Sequence, residues 1–92
     1  MLSFMMKVKV RLFGAFRDWV PGAALELDLP EMACARDAKQ ALVGRMGELG
    51  HFAQAQALVL DSVLADQENT LRDDDIIKTG VELAVLPPVC GG

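Results

Sequence analysis

Two stretches of strict alternation, followed by a switch to helical spacing, restrict the folds open to this chain. From Lys7 to Phe13, Val8, Val10 and Leu12 share one side and Lys7, Lys9 and Arg11 the other. Successive side chains of a strand point to opposite faces, so this segment is a strand with one buried face. Leu25-Glu26-Leu27-Asp28-Leu29 repeats the pattern until Pro30 stops it. Between the two, Gly14 breaks the first strand, Ala15–Trp19 suit a short turn, and Val20-Pro21-Gly22 punctuate the loop. The pair reads as an antiparallel hairpin with a long connection. From Ala35 the period lengthens: Ala38, Leu42, Met46 and Leu49 form one stripe, widened by Ala41, with Arg36, Lys39, Gln40 and Arg45 off it. That spacing predicts a helix from about 35 to 46, ended by Gly47 or Gly50. Its N-cap position falls on Cys34, a poorer acceptor than Ser, Thr, Asp or Asn, while Asp37 in the first turn suits the helix dipole.

The second half is less regular. Phe52–Gln56 reads equally as a helical turn or a loop. Ala57–Leu60 reads as a strand, Asp61-Ser62 as a tight turn and Val63–Ala65 as the returning strand. Asp66–Asn69 is a polar loop, Leu71 an apolar anchor, and Arg72–Asp75 an acidic turn. After Ile76-Ile77 the chain breaks at Thr79-Gly80, and Val81–Leu86 is a last strand, mostly apolar on both faces, which fits a central strand covered by the helix on one side. A helix between the second and third strands must cross one face of a single sheet. With the last strand beside the first, the order gives an α+β fold: a β-grasp, or ubiquitin-like, mixed sheet of about five strands packed on one main helix.

Ninety-two residues, of which 52% are hydrophobic, suit one small domain with one core. A net charge of −4 and a pI near 4.7 disfavour nucleic acid and favour a basic-faced partner. No apolar run approaches the roughly 18 residues of a membrane span, and Met1–Met6 lacks the basic and long apolar parts of a secretory signal. Two cysteines, Cys34 and Cys90, are too few for a disulfide scaffold or a cysteine-based metal centre. The expectation is a cytoplasmic protein that binds no cofactor or metal of its own. His51, the single histidine, reads as a surface loop residue.

The remaining feature is the end of the sequence, Leu86-Pro87-Pro88-Val89-Cys90-Gly91-Gly92. Proline lacks an N–H and has a fixed φ, so Pro87-Pro88 ends ladder pairing and keeps the following residues extended. Gly91 and Gly92 carry no Cβ and fit a passage too narrow for other residues. A stiff neck, a thin thread and a carboxylate make the Gly92 terminus the expected reactive group.

Phe13-Gly14-Ala15-Phe16-Arg17, the helix after Pro30 and the final Pro-Pro-Val-x-Gly-Gly together resemble the MoaD/ThiS sulfur-carrier proteins, most of all the MoaD type, the small subunit of molybdopterin synthase. The resemblance covers nearly all of the chain after the first five residues, and its most specific part is the tail. It implies a single carrier domain over 1–92 with a flexible tail from 87 to 92. It further implies that a ubiquitin-activating-type adenylyltransferase (MoeB type) uses MgATP to adenylate Gly92. A sulfurtransferase supplies sulfur for a thiocarboxylate, and the tail delivers it to the molybdopterin synthase large subunit. On its own the chain would be no enzyme.

Gly91, Cys90, Val89, Pro88 and Pro87 would then line the passage of the tail into a partner. Phe13 and Arg17, in the loop after the first strand, would join the partner surface. Two features depart from the family pattern. Cys90 stands where a small residue is usual, and its thiol is two residues from the activated carboxylate. Asp74–Lys78 adds length before the last strand, on one edge of the domain. Cys34 reads as a half-buried structural residue. Three rival readings stand beside this one: a carrier for another pathway (thiamine, cysteine or another thio-metabolite), a ubiquitin-like protein modifier, and an interaction module with an inert tail.

Overall fold

The first strand, β1 (Met5–Leu12), buries Met6, Val8, Val10 and Leu12 and exposes the residues between them. The structure, a computed structural model, describes residues 5–88. β1 pairs antiparallel with β2 (Ala24–Pro30), setting Val8 opposite Leu27 and Val10 opposite Leu25. One register thus collects both apolar rows on the same face, where a one-residue slip would expose them. The connection between them contains α1 (Phe16–Trp19) and a single 3-10 turn at Pro21–Ala23. The last strand, β5 (Glu82–Leu86), runs parallel to β1 with Val10 beside Leu83 and Leu12 beside Val85.

The five-stranded sheet has the order β2-β1-β5-β3-β4, where β3 is Val63–Ala65 and β4 is Thr70–Leu71. The first and last strands are therefore neighbours in the middle of a mixed sheet. Between β2 and β3 the chain forms α2 (Ala35–Glu48) and α3 (Phe52–Leu60). α2 buries Ala38, Leu42 and Met46 of the stripe expected from the sequence, together with Ala35, Lys39 and Val43, while Leu49, also placed in that stripe, lies just past the helix and is exposed. It runs past Gly47, and the chain turns at Gly50, whose φ of +91° favours glycine.

One expectation is corrected. Residues 57–60 are not a strand but the C-terminal half of α3. The apolar run Ala57–Leu60 lacks strand partners, and only Ala55 and Val59, one turn apart, are fully buried. Alanine and glutamine favour helix, and a short apolar run alone does not separate helix from strand. The Ser62 hydroxyl donates to the Leu58 carbonyl at 2.6 Å where the helix ends. α2 remains the main helix against the sheet, α3 packs beside it with Ala55 and Val59 in the same core, and the fifth strand is the short β4, which contains Leu71. His51 lies in the loop just before α3, half-buried, and stacks on Trp19, with ring centroids 5.2 Å apart and planes 12° apart.

The acidic segment 72–78 accounts for the unusual residue at the start of α2. Ala35 N–H donates to the Asp75 carbonyl and Arg36 N–H to the Asp73 carbonyl, both at 2.9 Å. Ile77 N–H donates to the Ala33 carbonyl at 2.8 Å, and Cys34 and Ile76 form an isolated antiparallel bridge. Helix N-termini leave N–H groups that need acceptors. Here the backbone of a distant loop provides two of them, so Cys34 need not act as a strong cap. Lys39 Nζ pairs with Asp73 Oδ1 at 3.1 Å and ties the same loop to the side of α2. Cys34 is half-buried, and its backbone N–H donates to Asp37 Oδ2 at 3.0 Å. Among the described residues, no helix is long and apolar enough to cross a membrane.

Candidate functional site at the root of the tail

The parallel pairing of β1 and β5 carries both strands to the same end of the sheet, where β1 leads into Phe13-Gly14 and β5 into Pro87-Pro88. The two segments meet there. Gly14 has a φ of +61°, and a Cβ placed on it would lie 2.7 Å from Pro87 Cγ. The residue must be small for Pro87 to sit where it does, and its φ independently favours glycine. Pro87 is half-buried against this turn and Pro88 is exposed. The root of the tail is thus braced on the loop after β1.

That loop is rigid for reasons visible in its bonds. Arg17 N–H donates to the Gly14 carbonyl and Asp18 N–H to the Ala15 carbonyl, each at 3.1 Å, which starts α1. Phe16 is fully buried and meets Trp19 edge-on, with centroids 5.5 Å apart. Trp19 in turn lies against His51, so the aromatic row Phe16-Trp19-His51 links the loop to the start of α3. An edge-on pair of this kind adds about 0.5–1.5 kcal/mol beyond area burial. Arg17 and Phe13, the two loop residues expected on a partner surface, are both exposed.

Beyond this loop the outer sheet face divides in two. On β1 and β2 it is charged: Lys7 pairs with Asp28 at 3.0 Å and approaches Glu26 at 3.8 Å. Those carboxylates raise the Lys7 ammonium above its ordinary value, Asp28 most of all. Arg11 Nε pairs with Glu82 Oε1 at 2.6 Å across the β1–β5 boundary. Next to the root of the tail the face is apolar, with Phe13, Leu86 and Val63 exposed at 40%, 38% and 41%. Leu86 is the register partner of Val63, so the two lie side by side.

Of the residues singled out from the sequence, the fold gathers Phe13, Arg17 and Pro87 at one end of the sheet. Val89, Cys90, Gly91 and Gly92 lie outside the described residues. The segment 74–78, expected on one edge of the domain, lies against the N-terminus of α2. Sequence reasoning missed the Gly14–Pro87 contact and the Trp19–His51 stack. The glycine within the Phe-Gly motif was a signal for the first; nothing in the sequence pointed to the second. Among the described residues, no group of three or more His, Cys, Asp or Glu is arranged to hold a metal ion.

The same architecture occurs in solved structures. SAMP1 of Haloferax volcanii superposes with a TM-score of 0.70 at 25% identity, over 94% of this chain and 99% of that one. A Pyrococcus furiosus protein described as molybdopterin converting factor, subunit 1, gives 0.66 at 26% identity, over 91% and 99%. A ubiquitin of Caldiarchaeum subterraneum gives 0.62 at 16% identity, over 97% and 100%, a likeness of fold alone. No curated protein matches the sequence. The ThiS family model matches residues 10–92, so it runs from the end of β1 through the Gly14 turn and β5 to the Gly-Gly end. With its ubiquitin-like β-grasp sheet and its last strand running into Pro-Pro-Val-Cys-Gly-Gly, the chain belongs to the ThiS family.

Proposed function

We propose that this chain is a sulfur carrier whose reactive group is the Gly92 carboxylate, and that it serves as the small subunit of molybdopterin synthase in molybdenum cofactor biosynthesis. The observation that carries the reading is the packing of Pro87 on Gly14, because it joins the two segments on which the MoaD likeness rests. The likeness to the Pyrococcus furiosus protein supports the same branch.

A carboxylate ionised at neutral pH is a poor electrophile. The activating partner, a ubiquitin-activating-type adenylyltransferase, therefore joins AMP to Gly92 at the expense of MgATP and releases pyrophosphate. The terminal sulfur of a sulfurtransferase persulfide displaces AMP, and a thiol cleaves the resulting S–S bond to leave a thiocarboxylate. The large subunit receives the tail and supplies acid–base groups. This chain contributes a thread without Cβ atoms at Gly91 and Gly92, a braced root at Pro87, and the exposed apolar surface of Phe13, Leu86 and Val63 beside it. Burying such a patch against a partner is favourable, at about 25 cal/mol per Å² of apolar area.

A second reading has its own support. SAMP1 of Haloferax volcanii is a small archaeal modifier protein of similar fold. On that reading the activated Gly92 forms an isopeptide with lysines of other proteins. Intact mass after incubation with the adenylyltransferase, MgATP and a persulfide source separates the two. Exchange of one oxygen for sulfur on the free chain supports the carrier. Conjugates with other proteins and no thiocarboxylate support the modifier. An unchanged mass in both settings removes both. Conversion of the pterin precursor by a co-purified large subunit then decides the pathway.

A further inference from the structure

The acidic total of this chain conceals a local concentration of positive charge. Lys9, Arg11 and Arg17 line one surface hollow, together with Phe13 and Ala23, and no carboxylate side chain lines it. Arg11 is held by Glu82, but among the described residues Lys9 and Arg17 have no carboxylate within ion-pair distance. The register explains Lys9. It stands between Glu26 on β2 and Glu82 on β5, yet Glu26 lies within reach of Lys7 and Glu82 is engaged by Arg11. The wall formed by the turn before β2 is held in an unusual backbone: Gly22 has a φ of +82° and Ala23, which is not glycine, a φ of +53°. A left-handed backbone is disfavoured for alanine, so the shape is maintained against local preference.

We infer that this hollow receives a carboxylate-bearing segment of the protein that holds the tail, with Lys9 and Arg17 as its charge contacts and Phe13 as an apolar neighbour. The assignment of a tail-holding partner rests on the carrier reading; the charge complementarity does not. An acidic polypeptide fits better than nucleic acid. Beyond the hollow the sheet face carries Glu26, Asp28 and Glu82, which repel a long polyanion but leave room for one or two carboxylates. Guanidinium and ammonium groups in a concave site attract a carboxylate more strongly than isolated surface charges do.

The test is an amide NMR titration of the full chain at low salt with a short, otherwise neutral peptide that carries two glutamates, alongside inorganic phosphate and single-stranded DNA. The expected result is saturable shifts at Lys9, Arg11, Phe13, Arg17 and Ala23 with the peptide. These should weaken by about tenfold or more in Lys9→Glu/Arg17→Glu. Both residues are exposed, so the variant's remaining spectrum should stay that of the folded chain. Shifts that miss the hollow, that persist in the variant, or that phosphate or DNA reproduces at equal concentration overturn the inference. Shifts of the same amides with protein concentration alone overturn it in favour of a second copy of this chain as occupant. Thiocarboxylation of Gly92 is read separately by mass, so loss of the carrier reading and loss of the acidic contact are told apart.

Discussion

At the scale of single residues, Gly14 is the most demanding position outside the tail itself. It needs both a positive φ and the absence of a Cβ, because Pro87 Cγ would lie 2.7 Å from that atom. Gly14→Ala should cost roughly 1–2 kcal/mol of stability from the left-handed backbone alone. It should also displace Pro87 and slow Gly92 activation beyond what the stability loss explains. Denaturant unfolding and adenylation kinetics measured on the same preparation check both effects. Full activation by a folded Gly14→Ala protein would show that the brace plays no part in presenting the tail.

Among the elements, α2 and α3 raise separate questions. The carboxyl of Asp37 is held below the ordinary aspartate value, first by the backbone N–H of Cys34 and then by its thiol. A lowered folded-state pKa means that the unfolded chain binds the proton first as pH falls. The contribution is thus present above the unfolded value, near pH 4, and is lost as pH falls through the folded one. Asp37→Ala should flatten the rise of stability with pH below about pH 4 relative to the parent, as followed by urea midpoints across pH. Asp66, lowered by the N–H groups of Asn69 and Glu68, shapes the same acid limb and must be left in place for the comparison.

For α3 the decisive test is a proline. Gln56 is exposed in the interior of the helix, so Gln56→Pro removes no packed side chain. It should still cost about 3 kcal/mol because it deletes a helical hydrogen bond and clashes with the preceding turn. Thermal melts read the loss directly. The rival view, of a loop followed by a strand, expects little change.

Over the whole molecule, a single apolar cluster joins the inner rows of β1, β2, β3 and β5 to α2 and α3. Leu42 lies at its centre, fully buried on α2. Leu42→Ala should destabilise the protein by about 2–5 kcal/mol. At the upper end this is a large share of the stability of so small a domain, so calorimetry should show a much lower melting temperature. A neutral surface change such as Lys9→Gln should leave that temperature nearly unchanged, which separates the packing of the domain from the charge of its outer face.

What could be known from the sequence was set by short-range periodicity. Alternation in Lys7–Phe13 and Leu25–Leu29 named two strands and their inner residues, because a strand's two faces are written into neighbouring positions. The three-to-four spacing from Ala35 named α2, and the closing motif identified the residues on which the family likeness rests. Other features depended on atoms far apart in the chain. Ala57–Leu60 became helix because Ala55 and Val59, one turn apart, find buried places in the core, with Leu58 packed at its edge. Cys34 stands at the head of α2 because carbonyls from Asp73 and Asp75 accept that helix's free N–H groups. Among the described residues Lys9 has no carboxylate within ion-pair distance, because its neighbours in register, Glu26 and Glu82, lie against Lys7 and Arg11. Each of these is a competition for partners across the fold. Local sequence shows which residues compete, and only the tertiary structure decides which of them are paired.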